Sequence, residues 1–527
     1  MAETTQLARS PLTIPAFRDL WMANMLSNFG SQIQTVAAAW LMASMTSSAQ
    51  LIALVQTSVA LPIVFFILVG GALADMLDRR LMMLVSQLFM LATATALAWL
   101  TLAGLMTPLL LLMFTFLISA GGSLNNPAWH GSVRDIVPRA SISRAVGLNS
   151  TSINLARTLG PAIGGAIVGL AGVAVAFFVN AVSYLSLIIA LLRWKPAPRA
   201  SAIPRERLLN AMATGIRYAM MAPPIRAVLM RGAISGFSAS AAFALMPVVA
   251  RQLGGGPFLL GILLGAFGLG AIVGATASGR LRETRPAETL VRAAVVALGG
   301  GLALLGATSF MPVAAIGAAC CGLGWVLAHS SFNATVQLAA PHWVSSRALA
   351  LYQTATFGAM AAGSWFFGMI AENAGVSSAL FAAAALQILG GAFAFRLRLP
   401  VAETLNLEPL GRWSPPQLDI EVADADGPLV VQIEYRIAEA DVAEFRTAMT
   451  ERERIRRRDG ARGWTLWRDL HDRSLWIESY RVRDWADYVR HNMRRTQEDV
   501  SNVDALIRLH SGPDQPLIRR YLRAGTD

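Results

Sequence analysis

The first 398 residues of the chain alternate long apolar runs with short polar breaks. Residues 20–74 contain no Asp, Glu, Lys or Arg, and residues 81–133 are equally free of them. A helix needs about 20 apolar residues to cross a bilayer. Runs of this kind span residues 20–42, 50–74, 81–103, 108–128, 147–169, 174–192, 227–249, 256–278, 289–310, 312–334, 348–370 and 376–395. The pattern predicts a membrane protein with twelve transmembrane helices.

The second six runs repeat the first six at a shift of 203 residues. This shift pairs Gly71 with Gly274 and Pro138 with Pro341. Many secondary carriers are built from two such repeats, which rock about a substrate site near the membrane midplane. The predicted domains are a six-helix bundle at 1–192, a central cytoplasmic loop at 193–226, a second six-helix bundle at 227–398, a linker at 399–427 and a further domain at 428–527.

The membrane part is strongly basic, and its charge is unevenly placed. Residues 1–398 hold 24 Lys and Arg against 9 Asp and Glu. The arginines concentrate in alternate short loops, while the other loops hold only Arg251 and Glu372. The positive-inside rule places the arginine-rich loops and both termini in the cytoplasm. A basic chain can also bind nucleic acid, but the loop placement favours orientation in the bilayer of the inner membrane, with no nucleic-acid partner.

Two residue counts exclude other classes of protein. Cys320 and Cys321 are the only cysteines and lie side by side in the tenth run, which argues against a structural disulfide or a cysteine-rich metal site. Lys195 is the only lysine, so the chain lacks the Gly-Lys-Ser/Thr element of a phosphate-binding loop. We expect neither a cofactor nor a bound metal, and no ATPase activity.

The loop between the second and third runs, "GALADMLDRR", contains an ordered set of charged residues. It resembles the loop signature of the major facilitator superfamily, Gly-x-Leu-Ala-Asp-Arg-x-Gly-Arg-Arg/Lys. The matching residues are Gly71, Leu73, Ala74, Asp75, Arg79 and Arg80, whereas Met76 and Asp78 depart from it. The resemblance implies a gating loop formed by Gly71, Asp75, Arg79 and Arg80, in which Asp75 pairs across the bundle interface. An ordinary positive-inside loop is the alternative.

The start of the fifth run, "GLNSTSINLARTLGPAIGG", is similar to the antiporter motif of exporters in the same superfamily. The matching residues are Gly147, Gly160, Pro161, Gly164 and Gly165, and Ala156 stands where the motif has its second glycine. Small residues let helix backbones approach closely, and a proline bends a helix. The motif favours export over import. Tight packing without directional meaning is the alternative.

Three further stretches narrow the resemblance. They are "FRDLWMANMLSNFGSQI", "VPRASISRAVGLNS" and "IEYRIAEADVAEFRTAMTERERIRRRDGARGWTLWRD". Together they look like the transmembrane secretion effector branch, which is close to enterobactin-type siderophore exporters. The resemblance implies an all-α membrane protein with the twelve-helix major facilitator fold. It also implies export of a siderophore- or drug-like small molecule in exchange for protons, and no enzymatic activity.

The first run carries a stripe of polar side chains. Asn24, Asn28, Ser31, Gln32 and Thr35 fall on one face of a helix. Polar side chains inside a bilayer must face protein or water. We interpret Asn24, Asn28 and Gln32 as candidates for the substrate path, with interhelical hydrogen bonding as the alternative.

Two ionisable residues that lie away from the ends of their runs are candidates for the site. Arg157 is ten residues into the fifth run, about 15 Å deep by helical rise, where a charge needs a partner. That partner is either an anionic group of the substrate or an acid, or else carbonyls freed by Pro161. His329 in the tenth run titrates in the physiological range, and a hydrogen-bonded structural histidine is its alternative reading.

The last hundred residues have a different pattern. "LVVQIEYRI" alternates as a strand does, and it is followed by a predicted helix at 439–457, strands near 463–469 and 474–481, helices at 483–508 and a strand at 517–522. This order predicts a cytosolic ferredoxin-like α+β domain similar to small dimeric α+β barrels, so we expect a homodimer through this domain. The alternative for the whole chain is a membrane-tethered α+β-barrel enzyme or sensor whose helical bundle does not transport.

Overall fold

The computed structural model describes eight stretches of the chain: residues 10–138, 141–195, 216–281, 284–341, 344–393, 416–424, 426–494 and 496–523. Within these stretches, the side chains of residues 68, 71, 72, 74–76, 134, 143, 346 and 498 lie outside the description. The statements below refer to this described part.

Twelve long helices form the first part of the fold. The first six are α1 (Pro15–Met45), α2 (Ala49–Met76), α3 (Arg79–Leu102), α4 (Pro108–Ile136), α5 (Ile142–Ala171) and α6 (Val173–Arg193). The next six are α7 (Pro223–Gln252), α8 (Pro257–Leu281), α9 (Ala287–Ala307), α10 (Met311–Ala339), α11 (Ser345–Ala374) and α12 (Val376–Phe393). We refer to α1–α6 as the first half and to α7–α12 as the second half.

Local sequence explains where several of these helices begin. The side chains of Ser48, Asp78 and Thr107 each accept hydrogen bonds from backbone N–H groups in the first turn of the next helix, which satisfies donors that the helix itself leaves unpaired. Gly172 joins α5 to α6 with φ of +89°, a conformation that only glycine adopts readily.

Not all of the twelve helices are equally apolar. Ten have a segment long and apolar enough to cross a membrane, judged by length and composition among the described residues. The other two are α1 and α11. In α1 the reason is its polar residues, of which Asn24 and Gln34 are buried within the bundle. The hydropathy of ten helices thus supports the predicted multi-pass architecture.

Both halves contribute to one apolar core. It includes Met42 of α1, Ile52 of α2, Leu245 of α7, Leu260 of α8 and Phe367 of α11, all nearly inaccessible to solvent. We call the end of the bundle that carries the α2–α3 turn, with Arg79 and Arg80, the basic end, and the end that carries residues 46–48 the far end. The shared core lies toward the far end. Lipid is as apolar as leucine, so the hydrophobic effect does not hold membrane helices together, and close van der Waals packing stabilises the core instead.

The last part of the chain forms a small sheet with three helices. Its elements are β1 (Leu429–Arg436), α13 (Val442–Arg458), β2 (Arg462–Arg468), β3 (Leu475–Val482), α14 (Trp485–Met493), α15 (Val500–Leu509) and β4 (Leu517–Leu522). The strand order is β2-β3-β1-β4, with every neighbouring pair antiparallel. The predicted sheet is therefore present, and the predicted helical stretch 483–508 is divided into α14 and α15.

The two faces of this sheet differ. Val431, Ile433 and Tyr435 of β1 point to the helices and are buried together with Phe445 of α13. The residues between them face the other way, and this second face includes Trp467, whose side chain is 59% exposed. Among the described residues, this second face of the sheet is only partly covered.

Contacts divide the chain into two compact units. The first comprises Met1–Arg205, Ala227–Asn333 and Tyr352–Leu399, and the second comprises Glu206–Arg226, Ala334–Leu351 and Pro400–Asp527. Both helical halves therefore belong mainly to one unit. Within the second unit, the guanidinium of Arg458 lies 5.6 Å from the ring centroid of Tyr218, so a residue of the central loop contacts α13.

Candidate functional site

The polar stripe of α1 faces α5. Asn28 donates to Ser152 Oγ at 3.5 Å, a long and weak contact. Gln32 packs directly on Gly160, because a Cβ atom added there would lie 2.6 Å from the Cβ of Gln32. Asn24 is buried nearer the basic end. The stripe therefore lies against the helix that carries Arg157.

Arg157 is the sixteenth of the 30 residues of α5 and therefore lies at its middle. Its side chain is exposed, although the flanking Ala156 and Thr158 are buried. Among the described residues, the guanidinium of Arg157 has no hydrogen bond or ion pair, so none of the carbonyls near Pro161 receives a bond from it. A cation in the middle of a bundle helix thus faces accessible space with its donors available.

His329 brings the second half to the same region. The Arg157 charge is close enough to act on His329, which is half-buried. The ring of His329 is stacked on Trp325 at 5.3 Å, and its Nδ1 lies 2.8 Å from the hydroxyl oxygen of Tyr352. Arg157 of the first half and His329 of the second half therefore lie within electrostatic reach of each other, and Gln32 lies on the helix that packs against that of Arg157.

Two members of this aromatic group were not among the residues expected from the sequence. Trp325 and His329 are four residues apart, a spacing that places side chains on one helix face, and this was the available signal. Tyr352 is fully buried, and a buried tyrosine usually finds a hydrogen-bond partner, but nothing in the sequence indicates that His329 is that partner.

The predicted gating loop can be followed only in part. The side chains of Gly71 and Asp75 lie outside the described residues, so the predicted pairing of Asp75 remains a prediction. Arg79 contacts Asp135 of α4 at 3.2 Å. Arg80 donates to the carbonyl oxygens of Leu191 and Leu192 at the end of α6, at 2.8 and 3.0 Å.

Asp78 explains how the chain manages without the glycine of the signature. Its φ is −63°, which any residue adopts, and its side chain accepts from the backbone N–H groups of Arg80 and Leu81. The residue thus begins α3 as a helix cap. Since Arg80 also places a cation at the C-terminal end of a helix, where the dipole favours it, the loop holds α3, α4 and α6 together.

The glycines of the antiporter-type motif line two different contacts. Gly160 and Gly164 face α1, and a Cβ atom at Gly164 would lie 3.0 Å from Ile33 Cα. Gly165 faces α8 of the second half, where a Cβ atom would lie 2.8 Å from Gly261 Cα. Gly147 has no such neighbour. Pro161 lies inside α5, which continues through it.

Helices α5 and α8 form a close contact between the halves. One full heptad from the Gly165–Gly261 contact, a Cβ atom at Gly268 would lie 2.5 Å from Thr158 Cα. The hydroxyl of Thr158 donates to the carbonyl oxygen of Gly268 at 3.1 Å. Small residues therefore bring the two backbones together from the far end to the middle of the bundle.

A second contact between the halves joins α2 to α11. The hydroxyl of Thr57 donates to the carbonyl oxygen of Ala361 at 3.1 Å, and a Cβ atom at Gly368 would lie 2.6 Å from the Cβ of Ala53. Like the α5–α8 contact, it lies between the middle of the helices and the far end.

The two charged residues expected in the non-basic loops also connect the halves. Arg251, at the end of α7, donates from Nη1 to the carbonyl oxygens of Ala43 and Thr46 at 2.9 and 3.0 Å, where α1 ends. A carboxylate oxygen of Glu372 accepts from the backbone N–H of Gln50, 3.3 Å away, where α2 begins. Each charge sits at the helix end whose dipole attracts it, so both hold the far end closed.

The tail contains a buried charge network of its own. Glu478 is fully buried and accepts from Arg456 Nε at 2.9 Å and from Trp464 Nε1 at 3.1 Å. Burial would raise the pKa of Glu478, but the cations of Arg456 and Arg452 outweigh it and hold this pKa at about 2. Arg456 Nη1 also lies 3.0 Å from His491 Nε2. The described residues include no cluster of His, Cys, Asp and Glu that could hold a metal ion.

Comparison with known proteins agrees with this architecture. The family model described as transmembrane secretion effector matches residues 6–526. The MFS-type transporter YfiS of Bacillus subtilis (strain 168) is 27% identical over 399 residues, which cover 72% of this chain and 93% of that protein. The enterobactin exporter EntS of Shigella boydii serotype 4 (strain Sb227) is 28% identical over 327 residues, which cover 60% of this chain and 76% of the exporter.

Solved structures show the same fold. A bacterial homologue of the human lysosomal transporter Spinster, in an inward-facing and occupied conformation, matches with a TM-score of 0.60 at 14% identity, over 77% of this chain and all of that one. The family model covers nearly the whole sequence, and its members are transporters rather than enzymes. The chain therefore belongs to the transmembrane secretion effector family of the major facilitator superfamily, and it is a multi-pass membrane transporter.

Proposed function

We propose that the protein is a secondary active exporter of a small organic molecule, siderophore- or drug-like, which it moves across the inner membrane in exchange for protons. The observation that carries this proposal is the exposed Arg157 guanidinium at the middle of α5, whose charge reaches His329 of the second half. An exposed cation at that depth is well suited to an anionic substrate group. The relation to an enterobactin exporter supports a siderophore-like substrate.

We further propose that all twelve long helices cross the membrane, with both termini and the basic end in the cytoplasm. The positive-inside rule supports this orientation. Among the described residues, the contacts between the halves given above lie from the middle of the bundle to the far end, so the proposed state is open toward the cytoplasm, as in the inward-facing Spinster homologue. In this state Arg157 can receive substrate from the cytoplasm.

For the tail, we propose a ferredoxin-like domain that pairs with a second copy through the second face of its sheet. The β-α-β-β-α-β order and the antiparallel strand order support the fold. Trp467 on that face is 59% exposed, and Leu470, in the following turn, is 95% exposed. We expect Trp467→Asp to convert a dimer of the purified full chain into a monomer by light scattering and Leu470→Asp to leave it dimeric. Equal behaviour of the two variants would exclude the sheet as the interface.

The transport proposal can be tested in two steps. The first compares small molecules retained by cells with and without the gene, which identifies a candidate substrate. The second measures uptake of that compound into inside-out vesicles with an imposed pH gradient. We expect uptake that collapses when the gradient is removed and that is lost in Arg157→Met. Uptake that ignores the gradient would contradict proton exchange, and full uptake by Arg157→Met would contradict the proposed site.

A further inference from the structure

A pocket of about 190 Å³ lies within the second half. Helices α7, α9, α10 and α12 line it, so it is separate from Arg157 on α5. Its lining at the basic end includes Arg231 and Glu288, which pair with each other at 2.8 Å. Most of the other lining residues are apolar, among them Phe332 and Ile388. The pocket is therefore a mainly apolar space that is bordered by an ion pair.

Gln387 gives the pocket one unmet polar requirement. This residue of α12 lines the pocket and is only 1% exposed, and its Oε1 has no hydrogen-bond partner among the described residues. A buried carbonyl oxygen that lacks a donor costs free energy. An occupant that satisfies this oxygen must bring a hydroxyl or an N–H group into the pocket.

The depth of Gln387 favours an uncharged occupant. The residue lies six positions before Phe393, where α12 ends at the basic end, which is about 9 Å by helical rise. Helix α12 is apolar enough to cross a membrane. Moving a charged group to such a depth costs far more free energy than moving a hydroxyl that finds a hydrogen-bond partner there.

The pocket opens on apolar side chains of membrane-crossing helices. Val296, in the middle of α9, is 69% exposed, and Ile388 of α12 is 50% exposed; both line the pocket. Helices α9 and α12 each contain a segment long and apolar enough to cross a membrane. An occupant can therefore enter from the bilayer and leave an apolar tail beside these two residues.

The volume of the pocket and its aromatic wall favour a molecule with one ring. An engineered cavity of about 150 Å³ in another protein binds benzene, so the space here is sufficient for a single ring with a small substituent. Phe332 is almost fully buried and lines the pocket, and pairs of aromatic rings are favoured beyond the area that they bury. A rigid ring also loses less conformational entropy on binding than a flexible chain does.

We propose that the pocket binds an uncharged alkylphenol that enters from the bilayer. The phenol hydroxyl donates to Gln387 Oε1, the ring packs beside Phe332, and the alkyl tail lies along Val296 and Ile388. A phenol combines a single ring with one donor and is neutral below pH ~10. The proposal concerns a second site and does not depend on which molecule the protein exports.

The experiment places the purified full chain in phosphatidylcholine nanodiscs and labels it with an alkylphenol that carries a photoreactive diazirine in its tail. Mass spectrometry locates the label and counts it per chain. We expect a single label, on α9 or α12 near Val296 and Ile388. Unlabelled para-hexylphenol should displace the probe at a concentration about fivefold lower than its methyl ether, because only the phenol brings a donor. Decanol, which has a hydroxyl but no ring, should compete more weakly than the phenol.

Three variants make the test specific. Val296→Trp fills the opening of the pocket and should abolish the label. Val273→Trp is its control and should be labelled normally, because it places the same ring on α8 at a site that is 53% exposed and does not line the pocket. Gln387→Leu is close in size and removes the unpartnered oxygen, so it should abolish the preference for the phenol over the methyl ether.

Four outcomes would overturn the proposal. Equal labelling of Val296→Trp and Val273→Trp would place the probe elsewhere. Equal competition by the phenol and its methyl ether would show that no donor is required. Retention of the preference in Gln387→Leu would show that another residue accepts the hydroxyl. Competition by decanol as strong as that by the phenol would show that the ring is not recognised.

Discussion

Arg251 offers a direct test of how the far end is held closed. Its guanidinium joins the end of α7 to the carbonyl oxygens of Ala43 and Thr46 at the end of α1, so it connects the two halves. Replacing it by Met keeps an unbranched side chain of moderate length and removes the charge and its donors. We expect Arg251→Met to shift the protein toward a state that is open at the far end.

The size of this shift follows from the contacts. A hydrogen bond to a charged group contributes about 1.5–3 kcal/mol. Arg251 is partly exposed, and water can replace it at the two carbonyl groups, so the lower limit is the better estimate for the whole group. About 1.5 kcal/mol corresponds to roughly a tenfold change in the ratio of the two states. A population of about 1% in the open state would therefore rise to about 10%.

The shift can be measured as a distance between spin labels. Leu105 lies between α3 and α4, and Phe310 lies between α9 and α10, so both sit at the far end, on different halves, and both are exposed. Cysteines at these two positions, in a background with Cys320 and Cys321 replaced, report the opening as a longer distance component. Arg285→Met is the control. An unchanged distance distribution in Arg251→Met would refute the role of this residue.

Three further predictions concern the central site, the interface and the tail. Arg157→Lys keeps the charge and should retain partial transport. Arg157→Met loses the charge, so its transport should fall to background although the protein still reaches the membrane. Full-affinity substrate binding by the Met variant would contradict this. Gly268→Ala should reduce transport at least tenfold, because its Cβ would lie 2.5 Å from a backbone atom of α5. Gly265→Ala is the control and should transport normally, because the nearest neighbour of its Cβ would be 3.6 Å away. Equal activity of the two variants would show that the interface relaxes. Glu478 has its folded pKa lowered to about 2, so its ion pairs should stabilise the tail above pH ~4.5 and be lost as the pH falls toward 2. Glu478→Gln should lower the free energy of unfolding of the tail by about 3 kcal/mol at neutral pH and remove this pH dependence. Protease resistance of the tail in the full chain measures both effects. An unchanged pH profile of protease resistance would contradict the role of Glu478.

The membrane fold could be predicted because its signal is periodic and long. Runs of about 20 apolar residues and a repeat at a fixed shift each depend on many positions, so errors at single residues do not matter. Helices α1 and α11 lack a segment as apolar as those of the other ten, for a physical reason. Their polar residues face protein rather than lipid, as with the buried Asn24 and Gln34 of α1, and composition alone does not record which way a side chain points.

The site was harder to predict because its partners come from distant parts of the chain. Arg157 is visible in the sequence as a charge inside an apolar run, but its distance from His329 depends on how the halves pack. Arg231 also lies inside an apolar run, but it is near the start of that run, where sequence alone does not distinguish it from a loop arginine. Its pairing with Glu288 depends on the approach of α7 to α9, which no local pattern encodes.

The contacts between the halves differ along the bundle, and this difference bears on how a carrier could switch. At the far end, Arg251 and Glu372 bind helix ends, where water can take over the same hydrogen bonds when the contact breaks. At the middle, Thr158 and Gly268 pack backbone against backbone, and the hydroxyl of Thr158 binds a helix carbonyl away from either end. Water can therefore replace the polar contacts of the far end as it opens, whereas separating the middle would break close packing between two backbones that water does not replace. A rocking motion that keeps the α5–α8 contact as its pivot and breaks only the far-end contacts is the least costly path between the two states.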